Sequence, residues 1–314
     1  MLFNVCALYI KIMNNENQTI HKSDDNLTIY GWNEKLNQLK QESIYSALAH
    51  GRVSIVHRTC YEVISGNGLF QCELTGNMMY GKSDDELPCT GDWVIFQPFD
   101  EHKGIIVDSL PRERTLYRKK SGTVADKQAI ASYVDKAFIV QSLDDNFNVR
   151  RVERFMVQIM EENISSVLVL NKADLDFDRQ SVEEQIKHIS SQIPVFFTSI
   201  HQLETIVRLR KSISEGETVV FVGSSGVGKS SLVNALCEKP VLLTSDISLS
   251  TGKGRHTSTR REMVLMDSSG VLIDTPGVRE FGLAIDNPDS LAEVLEISDY
   301  AELCRFKDCK HINE

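Results

Sequence analysis

The sequence has no apolar run long enough to cross a membrane and no excess of positive charge. Its apolar start, MLFNVCALYI, falls short of the roughly 20 residues that a spanning helix needs, and neither an N-terminal basic cluster nor a small-residue cleavage site accompanies it. We therefore expect no targeting segment and no membrane partner. The formal net charge of -10 excludes a chain that coats nucleic acid by overall charge, so any RNA contact must come from local basic patches.

The sequence also lacks the cysteine pattern of a secreted protein. Its seven cysteines are odd in number and mostly scattered, so they do not resemble a disulfide framework, and we expect a reducing, cytoplasmic location. Internal repeats and low-complexity tracts are absent as well. The composition, with 41% hydrophobic and 25% charged residues, is that of a globular protein, and the length of 314 residues favours two or three domains. We expect a monomer.

Two basic patches stand out against the acidic background. Solvated surface charge explains either patch taken alone, and contact with RNA is the functional alternative. The patches comprise Arg112, Arg114, Arg118, Lys119 and Lys120, and then Lys253, Arg255, Arg260 and Arg261.

Hydrophobic patterning divides the chain into four parts. Residues 1–30 are polar after the first turn and are predicted to be a disordered extension. Residues 31–119 begin with a predicted lead-in helix and continue with five short β-type runs, which predict a small β-barrel. An OB-fold, a class that often binds oligonucleotides, is the favoured barrel, although a sandwich or an SH3-like barrel has the same periodicity. The five runs are RVSIVHR, YEVISG, LFQCELTG, DWVIFQPF and GIIVDSL.

Residues 120–285 alternate buried strand runs with amphipathic helices, the pattern of a doubly wound α/β domain. Helices are predicted over 149–163, with Asn148 as N-cap, over 181–193 and over 229–237. The remaining residues, 286–314, form a separate C-terminal segment. The predicted fold class is therefore multi-domain, with a β-barrel followed by an α/β domain.

A glycine-rich loop, GSSGVGKS, lies between a predicted strand and a predicted helix. This is the context of a phosphate-binding loop, in which backbone N–H groups and the helix N-terminus face the phosphates. Lys229 would reach the β- and γ-phosphates, and the Ser230 hydroxyl would bind Mg²⁺. The predicted nucleotide-binding set is Gly223, Ser224, Ser225, Gly226, Val227, Gly228, Lys229, Ser230 and Ser231.

A later strand ends in DTPG. Asp274 is predicted to support the magnesium ion, and the Gly277 N–H to contact the γ-phosphate. The basic segment LSTGKGRHTSTRRE precedes this strand, and within it Thr257 is the candidate switch threonine for Mg²⁺, with Thr259 as its rival.

The base is indicated by LVLNKADLDF, an N-K-x-D motif at a strand end about fifty residues before the phosphate loop. The Asp174 carboxylate would accept hydrogen bonds from N1–H and the exocyclic amine of guanine, which adenine does not offer there. Asn171 would connect this loop to the phosphate loop, and the Lys172 stem would lie along the base; Ala173 belongs to the same predicted GTP-binding set. Ser199 is placed to offer a backbone N–H to guanine O6, although it is equally explained as an ordinary strand-end residue.

The turn after Asp274 has Val278 where many GTPases carry a glutamine that orients the attacking water. A valine cannot do this. We therefore assign catalytic roles to His256, to the adjacent Thr257 and to Lys229; the alternative for His256 is an exposed loop histidine with no catalytic part.

These motifs, in this order, resemble the circularly permuted GTPases that depend on the small ribosomal subunit, the RsgA family, also called YjeQ or YloQ. The resemblance covers roughly residues 30–314 and rests on NKAD, GSSGVGKS, GKGRHTST, DTPGVREF and a terminal Cys/His cluster. It implies an OB-fold, a permuted GTPase domain and a zinc-binding domain. It also implies late maturation of the small subunit, rRNA binding and hydrolysis stimulated by that subunit, with His256 matching the family's motif histidine.

The C-terminus departs from the family pattern. Cys304, Cys309 and His311 match three zinc ligands, but the family's fourth cysteine would follow Glu314, where the sequence stops. A structural zinc site takes four protein ligands. We therefore expect one Zn²⁺ site that is incomplete in this sequence.

Three functional hypotheses follow. The favoured one is a GTP hydrolase stimulated by the small ribosomal subunit. The second is a GTP-dependent RNA-binding module in which slow hydrolysis is only a timer, and the third is a different phosphate-loop enzyme, such as an ATP-using kinase.

Overall fold

The computed structural model of the chain describes residues 25–83, 85–119, 127–238, 262–266 and 270–274. Its N-terminal part is a barrel that closes in the order β1-β2-β3-β5-β4-β1, with β3 and β5 parallel and the other pairs antiparallel. The predicted five-stranded barrel is thereby confirmed. The strands are β1 (Ala49–Val56), β2 (Tyr61–Ser65), β3 (Gly68–Leu74), β4 (Trp93–Asp100) and β5 (Lys103–Ser109).

Short helices frame the barrel. A 3₁₀ helix, Asp25–Tyr30, leads into α1 (Glu34–Glu42), whose N-cap Asn33 accepts a hydrogen bond from the Leu36 N–H. Between β3 and β4 the chain forms α2 (Gly76–Gly81), which the sequence pattern did not predict.

A two-stranded hairpin, β6 (Leu116–Lys119) with β7 (Lys127–Ala131), follows the barrel. The α/β sheet then has the order β10-β9-β8-β11-β13-β12, in which only β12 is antiparallel to its neighbour β13. Its elements are β8 (Lys136–Ser142), α3 (Val149–Glu161), β9 (Ser165–Asn171), α4 (Arg179–Gln185), α5 (Lys187–Ser190), β10 (Val195–Thr198), α6 (Leu203–Arg210), β11 (Thr218–Val222), α7 (Lys229–Leu236), β12 (Glu262–Leu265) and β13 (Val271–Asp274).

The helices cover both faces of this sheet. Apolar side chains of α3 pack in one core with Ile139 and Val220, whereas those of α6 and α7 pack in a second core with Val140 and Phe221. The predicted cap of α3 is present, because Asn148 accepts from the Arg151 N–H. The single helix predicted over 181–193 is wrong: the chain forms α4 and α5 instead, which meet at Ile186. Among the helices of the described ranges, none is long and apolar enough to cross a membrane.

The order of the parallel strands reverses between β8 and β11. From β8 the chain runs outward to β9 and β10, then returns to β11 on the other side of β8. In an open α/β sheet, ligands bind outside the carboxyl ends of the strands at such a reversal. Residues 143–148 follow the carboxyl end of β8, and the glycine-rich loop follows that of β11. The candidate ligand site is therefore the crevice between these two segments.

Strand β1 joins the barrel to the α/β sheet. Its first residues, Ala49 to Arg52, pair with β4 and close the barrel. A bulge lies between Val53 and Ile55, and beyond it Ile55 pairs with Glu262 of β12. Bulges bend strands, and β1 therefore pairs with β4 before the bulge and with β12 after it.

Arg52 occupies the junction beneath this bend, where only 1% of its surface is exposed. Its guanidinium donates to the carbonyl oxygens of Gly91 (2.9 Å), Tyr30 (2.5 Å) and Tyr133 (3.4 Å), and to Thr218 Oγ1 (2.8 Å). It also lies 5.5 Å from the ring centroid of Trp93. One side chain therefore binds the N-terminal segment, the barrel and the α/β sheet together.

Candidate nucleotide-binding site

The glycine-rich loop takes a conformation that its glycines make possible. Gly223, Gly226 and Gly228 have φ angles of +149°, +82° and +91°, in the region that side chains disfavour. Space is short as well, because a Cβ on Gly223 would lie 2.4 Å from the Val140 oxygen, and one on Gly228 would lie 2.3 Å from Asn171 Nδ2. The loop therefore passes directly over β8 and the N-K-x-D loop.

Lys229 and Ser230 begin α7 immediately after this loop. The Lys229 ammonium donates to the carbonyl oxygens of Gly223 and Ser224, at 2.7 Å each, which holds it across the loop. Gly228 caps the helix without a side-chain hydrogen bond. The N–H groups of the first turn and the Lys229 charge together make this helix end suitable for phosphate.

Asn171 connects the N-K-x-D loop to the glycine-rich loop. Its side chain is 3% exposed, and Nδ2 donates to the Val227 oxygen at 2.9 Å. The Thr198 hydroxyl donates to Oδ1 at 3.2 Å and fixes the orientation of the amide. Val227 itself packs in the core, so it presents its backbone to the site.

Asp174 lies exposed at the rim of the crevice, close to Ser199. The Ser199 hydroxyl donates to Asp174 Oδ1 at 2.5 Å and holds the pKa of that carboxyl below its ordinary value. Asp174 is therefore an anion at neutral pH. A carboxyl group that accepts hydrogen bonds from two N–H donors must be in this ionised form.

The Ser199 N–H, which was predicted to face guanine O6, makes a hydrogen bond within the chain. That N–H donates to Thr205 Oγ1 at 3.0 Å, so it faces into the chain. The next N–H, that of Ile200, has no hydrogen-bond partner among the described residues. The Ser199 hydroxyl, by contrast, contacts the Asp174 carboxylate.

Lys172 binds a carboxylate that the sequence pattern did not reveal. With φ +63° it turns the chain after β9, and its ammonium donates to Asp144 Oδ2 at 2.7 Å. Burial raises the pKa of Asp144, but hydrogen bonds from Lys172, Ser142 and the Asn146 N–H outweigh it and lower the pKa to about 2. The only sequence signal for Asp144 is an acid placed just after the end of β8.

Several predicted residues lie outside the described ranges. For Asp274 the backbone is described, and it ends β13 directly beside β11, at the same sheet edge as the glycine-rich loop. Within the described residues no group of three or more His, Cys, Asp or Glu side chains could hold a metal ion. The predicted residues outside the description are His256, Thr257, Gly277, Cys304, Cys309 and His311, together with the switch rival Thr259 and Val278.

Gly228→Ala is expected to weaken nucleotide binding by about tenfold or more, because the new Cβ would displace the Asn171 amide and strain a φ of +91°. Isothermal titration with GTP measures the effect. Gly68→Ala is a matched control, since Gly68 also has a positive φ of +115° but open space around it. Equal GTP affinity in the two variants would contradict the assignment of the loop.

Comparison with known families places the chain among GTPases. The family model described as RsgA GTPase matches residues 109–284. A protein of Bacteroides thetaiotaomicron named "Small ribosomal subunit biogenesis GTPase RsgA 1" is 73% identical over 302 residues, which cover 96% of this chain and 83% of that protein. A Methanosarcina acetivorans protein with the name "Small ribosomal subunit biogenesis GTPase RsgA" is 37% identical over 313 residues, covering 96% and 82%.

Two solved structures share the fold. YjeQ from Thermotoga maritima superposes with a TM-score of 0.62 at 24% identity and covers 85% of this chain and 87% of its own. YloQ, described as a circularly permuted GTPase, superposes with a TM-score of 0.60 at 20% identity and covers 87% of each chain. The permuted order of motifs is thus a property of a known fold.

Proposed function

The chain belongs to the RsgA GTPase family, and from that premise we propose that it hydrolyses GTP in response to the small ribosomal subunit, late in the maturation of that subunit. GTP hydrolysis is common to the family, so we reject the third hypothesis, an ATP-using kinase. The action on the small subunit is taken from the names of its relatives.

The observation that carries the proposal is the contact between the two loops in the crevice. Asn171 joins the base-reading loop to the phosphate loop at 2.9 Å, so one nucleotide can occupy both. In the proposed complex Asp174 accepts from the two guanine donors, and the Ile200 N–H donates to guanine O6. Gly223 to Ser231 surround the phosphates, with Ala173 and Lys172 beside the base.

Ser230 and Asp274 fit a magnesium ion. Hydroxyl and carboxylate oxygens are the donors that Mg²⁺ prefers, and the Ser230 hydroxyl has no hydrogen-bond partner in the described part of the chain. Bound magnesium would neutralise charge on the β- and γ-phosphates. Lys229 adds positive charge on the protein's side, and Thr257 completes the proposed magnesium set.

We assign water positioning to His256, because Val278 lacks the polar group that the reaction needs. Gly277 is assigned to sensing of the γ-phosphate. Both assignments rest on the sequence.

Contact with rRNA is assigned to the barrel, which we place in the OB class from its closed five-strand order, and to the basic segment around Arg255. Cys304, Cys309 and His311 are proposed zinc ligands, as a set that needs a fourth donor.

The decisive experiment measures GTP turnover with purified small subunits, with large subunits and without ribosomes. We expect stimulation by small subunits alone. Turnover that no subunit changes would favour the slow timer, and turnover stimulated equally by both subunits would contradict the proposed partner.

His256→Ala is expected to reduce the stimulated rate by about 10²-fold while GTP affinity stays within a factor of three, because the loss of water positioning affects the chemical step. Single-turnover hydrolysis with saturating small subunits measures it. His201→Ala supplies a control histidine, which is exposed just before α6. An unchanged stimulated rate in His256→Ala would remove the catalytic assignment.

A further inference from the structure

The crevice contains a second connection between the base-reading loop and the phosphate loop, built from the segment after β8. The Asp144 carboxylate accepts from Lys172 through Oδ2 and from the Asn146 N–H through Oδ1 at 3.0 Å. Asn146 in turn donates through Nδ2 to the Ser225 oxygen at 3.5 Å. Residues of three separate loops are therefore joined in one chain of hydrogen bonds.

Arg151 completes this connection from the first turn of α3. Its Nη1 donates to Ser224 Oγ at 3.0 Å, and to the backbone oxygen and Oδ1 of Asn146 at 3.2 Å each. A guanidinium binds several acceptors in a fixed plane, so it orients the groups that it contacts. Here those groups are Asn146 and the phosphate-loop residue Ser224.

The segment that carries Asn146 is anchored at both ends. Leu143 is buried, and its N–H donates to the Asn171 oxygen at 2.9 Å. At the other end Phe147 packs against the core beneath α3, and Asn148 caps that helix. Because this segment is held at both ends, a hydrogen bond from it fixes the position of the phosphate loop instead of moving with that loop.

Ser224 and Ser225 are the part of the phosphate loop that most needs support. They lie between Gly223 and Gly226, both at positive φ, and Ser225 is exposed. Glycine neighbours leave a backbone many conformations when no contact selects one. Asn171 fixes the far end of the loop at Val227, and among the described residues it makes no hydrogen bond to these two serines.

We propose that Arg151 is a positioning residue for GTP, which acts through Ser224 and together with Asn146 and Asp144 holds the phosphate loop in its binding conformation relative to the base-reading loop. The proposal rests on the proposed GTP site and adds three residues to it. Its physical basis is preorganisation: a loop that is already in place loses less conformational freedom when the phosphates bind.

The test compares GTP affinity in Arg151→Met, Ser224→Ala and the double variant, by titration without ribosomes. Arg151→Met keeps the apolar stem and removes the donors, and we expect it to weaken GTP binding by about tenfold, the scale of a charge-assisted hydrogen bond. In the Ser224→Ala background the same change is expected to cost less than threefold, because the contact is already lost. Arg151→Lys is expected to recover part of the affinity.

Arg150→Met is the matched control. Arg150 is the preceding residue of α3, its side chain is 81% exposed, and its ion pair is with Glu153 on the same helix. We expect GTP affinity within a factor of two of the wild type. If Arg151→Met does not fold, as judged by its thermal unfolding transition, Asn146→Ala takes its place with the same expected loss.

The outcomes separate the two levels of the proposal. A wild-type protein that binds no GTP overturns the proposed function itself. A wild-type protein that binds GTP, with Arg151→Met binding equally well, overturns only the positioning role. Equal losses from Arg151→Met with and without the Ser224 hydroxyl would also overturn it, since Arg151 would then act without Ser224.

Discussion

Asp174→Asn is expected to lose GTP binding by about 10³-fold and to gain binding of xanthosine triphosphate. A site built to accept two N–H groups rejects a base when its own acceptor becomes a donor, because the groups are left unpaired. Xanthine carries a carbonyl where guanine carries the exocyclic amine, and the new amide can donate to it. The Ser199 hydroxyl, which now donates to the carboxylate at 2.5 Å, can rotate to suit an amide.

Competition between the two nucleotides for a fluorescent analogue measures this exchange. Asp176→Asn is the matched control: Asp176 is exposed in the same loop, and it has no hydrogen bond or ion pair with the described residues. The control is expected to keep the preference for GTP. Retention of that preference by Asp174→Asn would show that another group reads the base.

Arg52→Met is expected to reduce the free energy of unfolding by about 3 kcal/mol or more. The substitution leaves three carbonyl oxygens, those of Gly91 and Tyr133 and the partly buried one of Tyr30, and the Thr218 hydroxyl without the donor that Arg52 supplies. Unpaired buried polar groups cost about 1–3 kcal/mol each, although a repacked or hydrated site recovers part of that. Burial lowers the pKa of Arg52 to about 10, so the side chain is still charged at neutral pH.

Urea unfolding of the full chain measures the loss. Arg58→Met, at the exposed tip of the β1–β2 hairpin, is the control and is expected to change stability by less than about 0.5 kcal/mol. A loss in Arg52→Met no larger than in this control would show that the junction does not depend on the guanidinium.

The local elements of the fold were largely predictable from the sequence. The five barrel strands are short apolar runs between turn residues, with clear alternation in β2, and α3 has a 3.6-residue apolar stripe behind a capping asparagine. The break between α4 and α5 at Ile186 had no such signal, because the apolar period continues through it.

The contacts that escaped prediction join residues far apart in the chain. Arg52 is one of five consecutive buried residues of β1, and its hydrogen-bond acceptors lie at distant positions of the chain. Asp144 lies 28 positions from Lys172, and the parallel pairing of β8 with β9 brings them together. Hydrophobic periodicity predicts single helices and strands. Contacts between residues far apart in the chain can be identified only once the order of the strands in the sheet is known.

The change of partner along β1 has a consequence for solubility. An edge strand presents unpaired N–H and C=O groups that can pair with a strand of another molecule. Strand β12 is the outer strand of the α/β sheet, and the pairing of Ile55 with Glu262 places barrel backbone against that edge. The bulge in β1 thus lets one strand close its own barrel and also shield its neighbour from self-association.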